Sequence, residues 1–133
     1  MIFLDTSAIY ALADRGDPNH GEALAMFRRL LEDGEVVLVH NYILVEAAAL
    51  LQRRLGLGSA LQFLQDAQDF QVHWISSRDH EEATRLLEER GKRGLSLVDC
   101  ASFAIMRHYQ VTQALAFDAD FEQEGFIPYR ETG

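Results

Sequence analysis

The chain has 133 residues, 48% hydrophobic and 25% charged, with two prolines and no biased tract. This gives room for one folded domain over residues 1–133 and excludes both a second core of ordinary size and a disordered chain. A net charge of −9 argues against non-specific duplex binding, which depends on a basic surface that releases counterions, and the single cysteine, Cys100, excludes an internal disulfide or a multi-cysteine zinc site.

Residues 1–4 are a short apolar run that ends at Asp5 and leads into an alanine-rich stretch over 7–13, read as a strand followed by a helix. With an acid at position 5 and no basic segment before it, this start does not resemble a secretory signal, and the protein is expected in the cytoplasm. Asp17-Pro18 offers a cap acceptor followed by a proline at the first helical position, and Ala23, Leu24, Phe27, Leu30 and Leu31 follow at helical spacing as far as Gly34. Val36-Val37-Leu38-Val39 has the β-branched content of a strand buried on both faces. Asn41 is the expected cap of a helix reaching about Leu55. Gly56-Leu57-Gly58-Ser59 breaks it, and residues 60–70 form a further helix with Leu61, Leu64 and Ala67 on one side.

Residues 72–75 read as a third strand. Ser76 or Ser77 opens a charged amphipathic helix that runs to about Arg90, before the loop-like Gly91-Lys92-Arg93-Gly94. Residues 97–109 form an apolar helix. The apolar stretch over 95–106 is interrupted by polar residues and falls short of the roughly 20 residues that span a bilayer, so neither a transmembrane helix nor a membrane partner is expected. A fourth strand is expected within 111–117 and a short edge strand within 126–129, the one place where Pro128 is tolerable. Short strands alternating with helices give the α/β class, with a parallel sheet of four to five strands covered on both faces.

The placement of the carboxylates is more informative than their number. Asp5 is the only charged residue in 1–13, Glu46 the only one in 40–52, and Asp99 the only one in 95–106. An ionised carboxylate in a buried run must be paired, hydrogen-bonded, protonated or bound to metal. No Lys or Arg lies in these runs, and a shared hard divalent cation such as Mg²⁺ or Mn²⁺ would answer for all three. In open α/β sheets ligands bind beyond the carboxyl ends of the strands. Asp5 and Asp118 end the first and fourth candidate strands there, and Asp120 competes with Asp118. Each acid also has a structural reading: Asp5 as a helix cap, Ser96-x-x-Asp99 as a capping box, Glu46 as a helix-surface acid, and Asp118-Ala119-Asp120 as a turn.

Asp5-Thr6-Ser7 after an N-terminal apolar strand, the isolated Glu46 in Val45-Glu46-Ala47, Leu95-Ser96-Leu97-Val98-Asp99 opening an apolar helix, and Phe117-Asp118-x-x-Phe121 together resemble the PIN domain over essentially the whole chain. More narrowly they resemble the small VapC-type toxins of type II toxin–antitoxin modules. The resemblance implies a three-layer α/β/α fold and a Mg²⁺- or Mn²⁺-dependent endoribonuclease. It further implies an RNA substrate, a cognate antitoxin protein, and a homodimer or higher homo-oligomer. By motif position Asp5, Glu46, Asp99 and Asp118 match the acidic quartet, with Asp120 as an alternative for the fourth. Ser7, or else Thr6, matches the hydroxyl beside the first acid, and Ser96 supports Asp99. Members often carry Ser or Thr two residues before the fourth acid, where this chain has Ala116.

On this reading the chemistry is phosphodiester hydrolysis by metal-activated water, with Asp5 and Asp99 as direct ligands and Glu46 as ligand or general base. In so acidic a chain the RNA needs a local basic rim, for which Lys92, Arg93 and Arg78 are the candidates. Single-stranded or looped RNA fits better than duplex, because exposed bases offer contacts that do not depend on charge. His20, His40, His73, His80 and His108 do not cluster in sequence and are expected as caps, surface or packing residues. Two other classes compete: a non-catalytic module that keeps the fold, and another Mg²⁺-dependent phosphotransfer hydrolase.

Overall fold

The computed structural model describes residues 1–130, so the last three residues of the expected domain lie outside the described residues. Five strands, β1 (Ile2–Leu4), β2 (Val37–His40), β3 (Gln71–His73), β4 (Gln113–Leu115) and β5 (Ile127–Pro128), pair in the order β3-β2-β1-β4-β5, and every pairing is parallel. Seven helices connect them: α1 (Thr6–Ala13), α2 (His20–Glu32), α3 (Asn41–Leu55), α4 (Leu57–Asp66), α5 (Ser77–Arg90), α6 (Leu97–His108) and α7 (Asp120–Gln123). A parallel pair needs a crossover, and right-handed crossovers that run first one way and then the other along the sheet place their helices on opposite faces. Accordingly α1, α2, α3 and α4 pack among themselves, and α5 packs on α6. This is the expected α/β/α arrangement.

The core explains the sequence runs. All of β1 and β2 is buried, as is α6 from Cys100 to Met106. Phe3 stacks on Phe121, which meets Phe103 edge-on, so the short α7 is fastened to the sheet by an aromatic plug. Its far end is fastened by charge: Glu124 is ion-paired to Arg90 of α5 and to Arg107 of α6. Arg90 foremost holds the Glu124 carboxyl down to about 2. No helix among the described residues is long and apolar enough to cross a membrane.

Several local expectations are corrected. Asp17-Pro18 forms a turn, the Asn19 N–H donating to Asp17 Oδ1 at 2.8 Å, and α2 starts at His20. The cap of α3 is His40 rather than Asn41: the Ile43 N–H donates to His40 Nδ1 at 3.3 Å. Asn41 instead accepts from the Ile75 N–H at 2.6 Å. No four-residue break separates α3 from α4, because Gly56 adopts φ 104°, a conformation open to glycine, and α4 starts at Leu57. That helix also faces the other way. Ala60, Phe63 and Ala67 point inward, while Leu61 and Leu64 are exposed at 55% and 39%. Two apolar stripes at helical spacing coexist here, and the one made of Ala60, Phe63 and Ala67 is buried, with α4 packed on α3. The strands are shorter than expected, with the third ending at His73 and the fourth at Leu115.

Candidate metal centre at the switch point of the sheet

The chain turns back on itself between β1 and β4: crossovers after β1 lead away on one side, and β4 leads to β5 on the other. Such a switch point opens a crevice at the carboxyl ends of the strands. Leu4 is in register with Leu115, so Asp5 and the 116–118 segment emerge side by side.

Asp5 is 4% exposed and caps α1. Its Oδ2 accepts from the Ser7 N–H at 3.1 Å and from the Ser7 hydroxyl at 2.6 Å. The Ser7 Oγ in turn accepts from the Phe117 N–H at 2.9 Å, bridging the ends of β1 and β4. Ser7 therefore ties down the segment that carries Asp118. The structure also separates Ser7 from Thr6, whose buried Oγ1 has no hydrogen-bond partner among the described residues. Burial, opposed by the two Ser7 bonds and reinforced by Asp99 and Asp118, pushes the Asp5 carboxyl up to about 6.

Asp99 serves two roles. At the third position of α6 it completes the capping box, its Oδ2 accepting from the Ser96 N–H at 3.1 Å while the Ser96 Oγ accepts from the Asp99 N–H at 3.0 Å. The structural reading is correct, and the same half-buried carboxylate faces the other acids. Burial raises its pKa, and Asp118 adds to the effect. Asp118 Oδ1 accepts from the Asp120 N–H at 3.0 Å. Asp120 is raised by burial, then by hydrogen bonding and charge from Asp118, with Lys92 pulling the other way. Carboxylate oxygens of Asp99, Asp118 and Asp120 lie within 4.8 Å of one another. The turn brings both candidates for the fourth acid into the cluster.

Glu46 stands apart from that trio. It lies on the second turn of α3 beside the inward residues Ile43 and Ala47, is half-buried, and has neither hydrogen bond nor ion pair among the described residues. The expected buried surroundings hold fully for Asp5, and only in part for Asp99 and Glu46. Of the basic rim, Lys92 is near Asp120 and bonds Gln123 Oε1 at 3.1 Å; Arg93 and Arg78 are exposed. None of Asp5, Asp99, Asp118 and Asp120 forms an ion pair with Lys or Arg among the described residues. Converging carboxylates, three of them (Asp5, Asp99 and Asp120) with raised pKa values, together with free lone pairs and a neighbouring orphaned hydroxyl, suit a hard divalent cation, which takes six or more oxygen donors. The donor set fits.

Comparison with known proteins identifies the family. The family model described as "PIN domain" matches residues 2–126. Two curated relatives, from Mycobacterium tuberculosis strains CDC 1551 / Oshkosh and ATCC 25618 / H37Rv, are each 35% identical over 132 residues, covering 98% of both chains. Each is named "23S rRNA-specific endonuclease VapC20". The crystal structure of the M. tuberculosis VapC20, described as a sarcin-ricin loop cleaving toxin, superposes with a TM-score of 0.83 at 35% identity, covering 96% of this chain and 97% of that one. Sheet order, acid placement and full-length similarity lead to one assignment: the chain belongs to the PIN-domain family.

Proposed function

We propose that the protein is a divalent-metal-dependent endoribonuclease that hydrolyses phosphodiester bonds in RNA and serves as the toxin of a toxin–antitoxin pair. The observation that carries this reading is the convergence of Asp99, Asp118 and Asp120 beside the buried Asp5, with no cationic side chain paired to any of them. The full-length similarity to rRNA endonucleases supports RNA as substrate, with a looped segment of large ribosomal RNA the first candidate.

When bound, Mg²⁺ or Mn²⁺ supplies Lewis-acid polarisation of a phosphoryl oxygen and a lowered pKa for water. Asp5, Asp99 and Asp118 would hold it, with Asp120 sharing or replacing Asp118. Ser7 and Ser96 orient the first two carboxylates through the bonds described above. Glu46, uncommitted to any partner, takes the proton of the attacking water as general base or joins the ligands. Lys92 acts on the charge of Asp120 and meets substrate phosphate at that rim. A cytoplasmic location, an antitoxin partner and a homodimer complete the reading. The solvent-facing Leu57, Leu61 and Leu64 of α4 offer apolar surface for protein contact.

The test is cleavage of a looped RNA pool with Mg²⁺, with Mn²⁺ and with a chelator. The native chain is expected to cut only with a cation present. Cleavage undiminished by chelator, or by Asp99→Asn, would remove the metal-nuclease reading.

A further inference from the structure

Trp74 has no role in the site as described. It is the single tryptophan of the chain and, at 71%, the most exposed of its large apolar side chains, the others being aliphatic. It follows β3 directly, and His73 of that strand is in register with His40 of β2. The indole thus stands at the carboxyl edge of the sheet, the edge that carries Asp5 and Asp118. β3 is two strands from β1 and three from β4, which puts Trp74 roughly 10–15 Å along the edge from the acids at about 4.8 Å per strand.

The backbone beneath it is fixed from both sides. On one side the Ile75 N–H is held by Asn41 Oδ1 at the start of α3. On the other, Ser76 and Asp79 close a capping box at the start of α5. These two helix starts are themselves joined, since the Tyr42 hydroxyl lies 2.7 Å from His80 Nδ1 and the two rings meet edge-on at 6.0 Å. Arg78, in the first turn of α5, is exposed and has no ion-pair partner among the described residues. An aromatic surface left uncovered on a fixed backbone, followed in the first turn of α5 by an exposed guanidinium and on the same edge as the acids, has the make-up of a nucleotide subsite.

Resting on the nuclease reading, we propose that Trp74 is a stacking platform for an unpaired base of the RNA, with Arg78 meeting a phosphate of the same strand. Every base has a π-face, so stacking secures RNA without a basic surface, which matters for a chain of net charge −9. The contact lies away from the scissile bond and is equally good in substrate and transition state. It therefore lowers KM and leaves kcat alone.

The lone tryptophan is its own probe. Intrinsic fluorescence is followed while the non-cleaving Asp99→Asn chain is titrated with an RNA stem-loop. Steady-state cleavage and sedimentation are then compared for native, Trp74→Phe and Trp74→Ala chains. Stacking predicts quenching by RNA and a KM raised roughly 5- to 100-fold in Trp74→Ala. It also predicts kcat within about twofold of native, recovery of most of the loss in Trp74→Phe, and unchanged sedimentation. An unchanged KM, or fluorescence blind to RNA, overturns the platform. Altered sedimentation of Trp74→Ala assigns the residue to contact between copies and overturns it as well. A native chain that cuts no RNA refutes the nuclease reading itself, a result distinct from native and Trp74→Ala chains cutting with the same KM.

Discussion

Two stretches of the same sheet edge bury titratable groups in opposite ways. At the ends of β2 and β3 each buried group has a partner. His40, wholly buried, accepts from the Ile43 N–H at Nδ1. Its Nε2–H then donates to the Ser102 Oγ at 2.9 Å, and the Ser102 hydroxyl donates to the Val98 carbonyl at 2.9 Å. His73 lies between the Tyr109 hydroxyl and Asp79. At the ends of β1 and β4, by contrast, four acids gather with a handful of N–H and O–H donors and no ion pair among the described residues. A satisfied network makes structure, whereas carboxylates in excess of their donors call for a cation from outside. Burial alone does not mark a site; the imbalance between charge and partners does.

The largest expected effect breaks the acid side. Asp5→Asn and Asp99→Asn should each lower RNA cleavage at least about 100-fold, read as kcat/KM. Removing a buried carboxylate should at the same time strengthen the metal-free fold. Asp5 is raised from 3.8 to about 6, so its ionisation disfavours the folded state at neutral pH by up to about 3 kcal/mol. Urea denaturation at pH 7 without metal should find Asp5→Asn at least as stable as native.

On the histidine side the signs reverse: His40→Ala should cost about 3 kcal/mol, by removing the donor to the Ser102 Oγ and the acceptor of the Ile43 N–H and opening a cavity. The same urea midpoint measures it.

A pH series sharpens the contrast. Burial, helped by His73, depresses His40 from 6.5 to about 3. Between these values the unfolded chain binds more protons, so His40 removes stability as pH falls from 6.5 towards 3. Asp5 acts oppositely: between 3.8 and 6 the folded chain binds more protons, so its contribution is present below 3.8 and lost as pH rises through 6. Asp5→Asn should therefore lose stability more steeply than native on acidification from pH 6 to 4, as urea midpoints across that range will show.

The smallest effects separate the two hydroxyls beside Asp5. Ser7→Ala removes a donor to Asp5 and the acceptor of Phe117, and should cost about 1–2 kcal/mol and lower kcat roughly 10-fold. Thr6→Val, which replaces an unpartnered buried hydroxyl by an isostere, should be neutral or stabilising by up to about 1 kcal/mol. Thermal melts and single-turnover cleavage of both variants check the pair.

What the sequence showed, and what it hid, follows the range of the interactions. Asp5, the Ser96–Asp99 box and the Asp118–Asp120 turn were legible because strand ends, caps and turns are written within a few residues. The α/β class was legible from alternating periodicity. The Ser7–Phe117 bond spans 110 residues and His40–Ser102 spans 62, and no local pattern announces either. His40 as cap, Asn41 as a tie to Ile75, and Ser7 as a tie to Phe117 all became visible only in three dimensions. The facing of α4 was ambiguous for another reason: Leu57, Leu61 and Leu64 compete at helical spacing with Ala60, Phe63 and Ala67, and spacing alone does not decide which stripe is buried.

The central claim is that the acids at the β1/β4 switch point form a cation site. Calorimetric titration of Mn²⁺ into the metal-free chain at pH 6, in two buffers of different ionisation enthalpy, tests it most directly. Binding should be coupled to proton release, because the Asp5 carboxyl lies at about 6 and must ionise to act as a ligand, and it should be lost in Asp99→Asn. Absence of binding, or binding of equal strength in Asp99→Asn with no proton released, would contradict it.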